Sequence, residues 1–210
     1  MYTTNLWYFY SVALDKITCD KIKNVAESEW YEAGIDLKKD ITVEERKTGA
    51  QPLPGIDKNE RISDIVSSSD QWIYDTVWPW MIDANERVGW KYDIKSAEPM
   101  QITRYKKGEF YNFHKDGKGD HLTAYNAPIN EFMHGYVRKL SMTVLLNDDY
   151  EGGEFQFADY NQEKCEIITP KVNKTGSIIL FPSDVEHRVT PVTKGIRYSL
   201  VVWFLGPPFK

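Results

Sequence analysis

Cysteine is nearly absent from this chain. Cys19 and Cys165 are the two in 210 residues, far apart and in no metal-ligand spacing. That excludes a disulfide framework and a thiolate zinc site, and the expectation is two buried or idle thiols. Long apolar runs are also missing; nothing approaches the 18 or more residues of a helical membrane span, so no membrane partner is expected. The polar N-terminus has no charged-then-apolar leader, and the expectation is a soluble intracellular protein. Basic residues are not in excess. Lys and Arg number 26 against 31 Asp and Glu, a formal net charge of −5. Nucleic-acid binding is driven mainly by cationic side chains neutralising phosphates, so nucleic acid is disfavoured as a partner. No repeat, linker or low-complexity stretch is evident. Asn173-Lys-Thr175 matches the glycosylation pattern but reads as a loop.

What is present fits one domain over 1–210. Hydrophobic residues make up 41% and aromatics 14%, enough for a sizeable core. Trp7 to Leu14 reads as a strand, and Ile17 to Trp30 has helical spacing with Asp15 or Thr18 as N-cap. Residues 58–88 hold the best helical pattern, with Ile62, Ile65, Val66, Trp72, Ile73, Val77, Trp80, Met81 and Ala84 on a broad apolar face. Pro79 is expected to kink that stretch or to start a second helix. Gln51 to Gly55 reads as a loop. Beyond residue 100 the pattern changes to short apolar runs separated by Asn-Asp, Gly-Gly, Pro-Ser and Lys-Gly about every ten residues, as in a β-sandwich or barrel.

Histidine is scarce as well, with four in the chain, so the setting of each is informative. His114-Lys-Asp116 is followed after about 70 residues by His187 and, ten positions later, by Arg197. On a strand, residues i and i+2 point to one side, so His114 and Asp116 can grip one ion. Two imidazoles and one carboxylate leave the opposite face of a metal open, the arrangement suited to non-haem Fe(II) and oxygen chemistry. His121 and His134 have no carboxylate at that offset and read as ordinary residues.

The flanks strengthen the pattern. Tyr105-Lys-Lys-Gly108 and Phe110 to Asp116 read as a strand, a turn and a ligand-bearing strand. Arg138 to Asn147, Glu151-Gly-Gly-Glu154, Gly176 to Ser183 and His187 to Phe204 follow as further strands and turns. In residues 100–205 the chain resembles the Fe(II)- and 2-oxoglutarate-dependent dioxygenases of the prolyl 4-hydroxylase type, including the collagen, algal and oxygen-sensing enzymes and their bacterial and phage relatives. The resemblance implies a mainly β fold, a double-stranded β-helix (jelly-roll, cupin-like) core over 100–205 supported by a strand and helices from 1–95. It implies His114, Asp116 and His187 as iron ligands, and Arg197 as a bidentate anchor for the distal carboxylate of 2-oxoglutarate. Tyr105 and Ser141 match positions lining the co-substrate pocket. Leu145 stands where oxygen-sensing relatives have a further tyrosine.

The implied reaction is hydroxylation of an unactivated C–H, coupled to oxidative decarboxylation of 2-oxoglutarate with O2 and with ascorbate as reductant. A procollagen-proline-type substrate, a proline in a protein or peptide, is the leading expectation; a free amino acid or other small metabolite is the alternative. A non-catalytic jelly-roll binding module is a third reading, against which the intact His114, Asp116, His187 and Arg197 count. The halogenating relatives replace the carboxylate, which here is Asp116. Nucleobase-repairing relatives carry a second arginine where this chain has Trp203, itself either a pocket or a core residue. The compartment implied is the cytoplasm, or the host's if the chain is phage-encoded. Gly117 to Tyr136 is a long loop, read as a substrate lid or a plain insertion. Lys106, Lys107, Lys115 and Lys118 read as solvated loop charge or as a rim attracting an acidic substrate.

Overall fold

The computed structural model describes residues 6–26, 30–34, 57–117, 123–161 and 164–209. In chain order the first elements are β1 (Tyr8–Tyr10), α1 (Lys16–Val25), β2 (Tyr31–Glu32), β3 (Arg61–Ile62), β4 (Asp64–Ser68), α2 (Gln71–Val88), β5 (Ser96–Ala97), β6 (Met100–Tyr105) and β7 (Phe110–His114). Then come β8 (Val137–Leu145), β9 (Glu151–Gly152), β10 (Phe155–Asn161), β11 (Lys164–Ile168), β12 (Ile178–Pro182), β13 (His187–Val189), β14 (Val192–Lys194) and β15 (Arg197–Gly206). The larger sheet runs β1-β12-β8-β15-β6-β4-β2, with β5 also on β15; the smaller runs β11-β10-β13-β7-β3, and β9 pairs β14. All pairings are antiparallel. The expected mainly β architecture with supporting helices is the one observed.

Strand alternation divides the larger sheet into two chemistries. Leu140, Met142 and Val144 of β8 and Leu200, Val202 and Phe204 of β15 point to one face. There they pack with Cys19 and Ile22 of α1 and with Ile73, Val77, Met81 and Ala84 of α2. The aromatic stripe of α2 therefore belongs to the core, with Trp72, Trp78 and Trp80 packed against its margin. The opposite face carries Ser141 and Thr143, and Arg197, Ser199 and Trp203, turned toward the smaller sheet. A second apolar cluster of Phe157, Ile179, Phe181 and Val185 joins the two sheets at one end.

Two helical expectations are revised. Ile62, Ile65 and Val66 lie on β3 and β4, because the Arg-Ile-Ser-Asp-Ile-Val segment pairs with β6 and β7 and its β-branched residues suit a strand. The helix begins only at Gln71 and runs unbroken through Pro79. Pro79 and Asp75 both lie on the exposed face, where the Asp75 carbonyl that loses its donor is accessible to water. The first helix ends at Val25, short of Trp30, and its N-cap is Asp15, whose Oδ1 accepts from the Thr18 amide at 2.7 Å. Both thiols are free, Cys19 buried and Cys165 exposed. No helix among the described residues is long and apolar enough to cross a membrane. The Gln51 to Gly55 segment, Lys118 and His121 lie outside the described residues.

Candidate active site

Pairing of β7 with β13 sets His114 directly opposite His187, so the two imidazoles project from one face of the smaller sheet. Asp116 is not on the strand, as alternation had suggested; it sits in the bend just beyond β7, which carries its carboxylate back toward both rings. Ligand atoms of the three residues lie within 4.8 Å of one another. His114 Nε2 is 3.8 Å from Asp116 Oδ1, and His187 Nε2 is 3.6 Å from Asp116 Oδ2. Those separations exceed a hydrogen bond and leave room for an ion. Each histidine is oriented from behind: Nδ1 of His114 meets the Asn112 carbonyl at 2.8 Å, and Nδ1 of His187 the Val185 carbonyl at 2.9 Å. A carbonyl only accepts, so Nδ1 carries the proton and the Nε2 lone pairs face the shared space.

The electrostatics agree with a metal site. Burial, reinforced by the neighbouring His187, pushes the His114 imidazole down to about 3. It therefore stays neutral well below the ordinary histidine range. Burial alone would raise the Asp116 carboxyl, but His187, His114 and Arg138 outweigh it and hold the group below the usual carboxylate range. A neutral His114 imidazole and an ionised Asp116 carboxylate suit a divalent cation.

Arg197, at the start of β15, is 1% exposed. It pairs with Tyr105 across the ladder, and its Cζ lies 5.5 Å from the Tyr105 ring. Nη1 donates to Ser199 Oγ at 2.9 Å, whereas Nε and Nη2 have no partner among the described residues. An unpaired buried guanidinium edge is costly, and it fits the distal carboxylate of a dicarboxylic co-substrate. Gly153 makes this possible: at φ +60°, a Cβ there would stand 3.0 Å from Arg197 Cδ and from Val192 Cγ2. The triad and Arg197 line one cavity of about 630 Å³.

The other wall of the cavity was not legible in the sequence. Arg138 of β8 makes a double ion pair with Glu98, Nε to Oε1 at 2.5 Å and Nη2 to Oε2 at 2.6 Å. Its guanidinium lies 4.0 Å from the Trp203 ring centre. Tyr125, from the 117–136 loop, donates to Glu98 Oε1 at 2.6 Å. Trp203 lines the cavity rather than the core, and its Nε1–H has no partner among the described residues. A lone Glu between Ala97 and Pro99 carries no spacing signal, and Arg138 was visible only as the start of a strand.

The remaining expected positions fall as follows. Tyr105 lines the cavity; Ser141 is fully buried, its hydroxyl 2.9 Å from Ser183 Oγ, and Thr143 forms that part of the wall. Leu145 is buried outside the lining. His134 is exposed, its Nδ1 accepting from the Ala127 amide. Lys106 is paired with Asp64 at 2.7 Å, whereas Lys115 stands exposed at the cavity. The described part of the loop is organised: Tyr125 and Tyr136 pair through backbone, and the Ser96 hydroxyl donates to the Phe132 carbonyl.

Two antiparallel sheets enclosing a cavity with two histidines and a carboxylate define a jelly-roll oxygenase class of protein. Residues 100–205 match the family model of the 2OG-Fe(II) oxygenase superfamily, and the chain belongs to that family. It is 32% identical over 111 residues to a PKHD-type hydroxylase of Idiomarina loihiensis, covering 52% of this chain and 43% of the relative. It is 38% identical over 108 residues to one from Xylella fastidiosa, covering 50% and 43%. The match thus spans less than half the length of these relatives. Among solved structures, the viral collagen prolyl hydroxylase of Paramecium Bursaria Chlorella virus-1 superposes with a TM-score of 0.60 at 20% identity, over 96% of this chain and 97% of that one. A Trichoplax adhaerens prolyl hydroxylase, solved with a hypoxia inducible factor peptide fragment, gives 0.66 at 17% identity, over 96% and 84%. The shared fold is the double-stranded β-helix.

Proposed function

We propose that this chain is an Fe(II)- and 2-oxoglutarate-dependent hydroxylase acting on proline in a protein or peptide. The observation that carries the reading is the buried Arg197, with two unpartnered nitrogens, in the same cavity as the His114, Asp116 and His187 cluster. When bound, Fe(II) and 2-oxoglutarate supply the oxidising power that exchanges a C–H for C–OH, consuming O2 and releasing succinate and CO2. His114, Asp116 and His187 would hold the metal. Arg197 orients the co-substrate through its distal carboxylate, with Tyr105 and Thr143 as walls. Tyr125 and Trp203 narrow the mouth and limit water at the reacting carbon.

The substrate wall favours a neutral peptide over a zwitterionic amino acid. A free amino acid brings an ammonium and a carboxylate; beside Trp203 and Tyr125 the charged groups Glu98 and Arg138 are already committed to each other in a double ion pair, although Glu60, Arg61 and Lys115 also line the cavity. Aromatic surface from Tyr111, Tyr125 and Trp203 suits a flat apolar ring, and the buried Trp203 indole N–H has no partner among the described residues. The PKHD-type relatives are named as hydroxylases, which agrees with the reaction.

The test is Fe(II)-dependent succinate release from the purified chain, with and without proline-containing peptides, with mass spectrometry of the peptide and ascorbate added and withheld. A gain of one oxygen on proline, lost in His187→Ala, is expected. Stimulation by a free amino acid and by none of the peptides would overturn the peptide assignment, and no Fe(II)-dependent succinate under any condition would overturn the hydroxylase itself.

A further inference from the structure

In an unbroken strand, residues i and i+3 point to opposite faces. The β7–β13 ladder is broken: His114 faces His187 and Tyr111 faces Val189, so β7 holds one residue more than its partner between the two pairs. That β-bulge turns Tyr111 onto the face of His114. The phenol ring lies flat on the imidazole, centroids 3.5 Å apart and planes 14° from parallel. Arg61 is directly opposite Tyr111 in β3, and its Cζ is 4.6 Å from the same ring centre. The guanidinium is buried, held by Nε donation to Ser63 Oγ at 2.8 Å, and takes part in no ion pair among the described residues.

The two imidazoles are secured differently. His187 is wedged in the middle of the smaller sheet against Phe155 and Phe181, with ring centres at 5.2 and 4.6 Å. His114 is the last residue of its strand, followed at once by the bend that carries Asp116. Apart from His187 itself, the ring that packs on it among the described residues is Tyr111.

We propose that Arg61 and Tyr111 are positioning residues for the metal. The guanidinium pins the phenol ring, and the ring fixes the His114 imidazole in the orientation that shares an ion with Asp116 and His187. The idea rests on the metal-site reading above and deepens it: affinity for a divalent cation depends on a side chain from another strand that touches no ligand atom. The attraction of a cation for an aromatic face and the flat ring-on-ring contact supply the rigidity.

Cobalt(II) titration of the full chain, followed by visible absorption and free of any turnover, tests this. Ring-on-ring and cation–aromatic contacts of this kind are worth about 2- to 10-fold in an equilibrium constant. Arg61→Met and Tyr111→Leu are therefore expected to weaken Co(II) binding about 2- to 10-fold, while Tyr111→Phe, which keeps the ring, binds as the unaltered chain does. Circular dichroism establishes that each variant is folded; should Tyr111→Leu not fold, the comparison of Arg61→Met with Tyr111→Phe decides. Unchanged Co(II) affinity in folded Arg61→Met would overturn the proposal, as would a Tyr111→Phe variant as weak as Arg61→Met. An unaltered chain that binds no Co(II), or a His187→Ala variant that binds it equally well, would instead overturn the metal site itself.

Discussion

Arg197 shows how a single residue reports a missing partner. A buried guanidinium with two unpartnered nitrogens is a liability in an isolated fold, and the carboxylate of the proposed co-substrate would remove it. Arg197→Leu deletes the countercharge and should raise the 2-oxoglutarate requirement by about several hundredfold, since losing one partner of a buried pair costs on the order of 3–5 kcal/mol. A co-substrate titration of folded Arg197→Leu checks it; an unchanged requirement would sink the anchor assignment. His114 gives a second prediction at this scale. Its folded imidazole is pushed from the ordinary value of about 6.5 down to about 3, so in the metal-free protein the unfolded chain takes up a proton over that interval and the folded chain does not. Stability is therefore full above about pH 6.5 and declines as pH falls toward 3, by at most about 1.4 kcal/mol per pH unit from this group. Urea unfolding of the metal-free protein at pH 7, 5.5 and 4.5 should show that slope, and His114→Gln should lessen it.

At the scale of elements, the strands were more readable than the connections between them. Short apolar runs between turn residues announced the strands beyond residue 100, and the family resemblance, rather than any periodicity, implied that His187 and Arg197 share a site. Asp116 was placed with the right neighbours for an incomplete reason, because the bend after β7 rather than strand alternation brings it in. A β-bulge leaves no mark in composition, so the Tyr111 stack was invisible. The same holds for Glu98 and Arg138, 40 residues apart, whose meeting depends on β5 and β8 flanking the C-terminal end of β15. Residues 58–68 were misread because Ile62, Ile65 and Val66 have the i, i+3, i+4 spacing of a helix, and only pairing with β6 and β7 makes them strands. The loop of residues 117–136 carries the prediction here. Its Tyr125 hydroxyl is tied to Glu98, which joins the loop to the proposed substrate wall. Tyr125→Phe removes a hydrogen bond to a charged group, about 1.5–3 kcal/mol, and should raise the KM for peptide by roughly tenfold or more. Uncoupled turnover of 2-oxoglutarate should stay near its original rate. Equal loss of both activities would mean that the loop supports the barrel.

For the molecule as a whole, the larger sheet separates stability from chemistry: one face is apolar beneath α1 and α2, the other polar above the cavity. Ligands bound on the polar face should stabilise the fold by mass action, and in a fixed order if the site is built as described. A ligand at a hundredfold excess over its Kd contributes about 2.7 kcal/mol. For a chain of 210 residues that corresponds to roughly 5–10 °C in melting temperature. Mn(II), redox-quiet in place of Fe(II), should raise the melting temperature alone, and 2-oxoglutarate should add a further increment only when metal is present, because its two ends need the metal and Arg197 together. Arg197→Leu should keep the Mn(II) increment and lose the 2-oxoglutarate one, whereas His187→Ala should lose both. Thermal melts of the three proteins with each combination of ligands distinguish these cases. An increment from 2-oxoglutarate in His187→Ala equal to that in the unaltered chain would mean that the dicarboxylate binds without the metal, and the cavity would then be a carboxylate-binding pocket with the histidines beside it rather than an oxygenase centre.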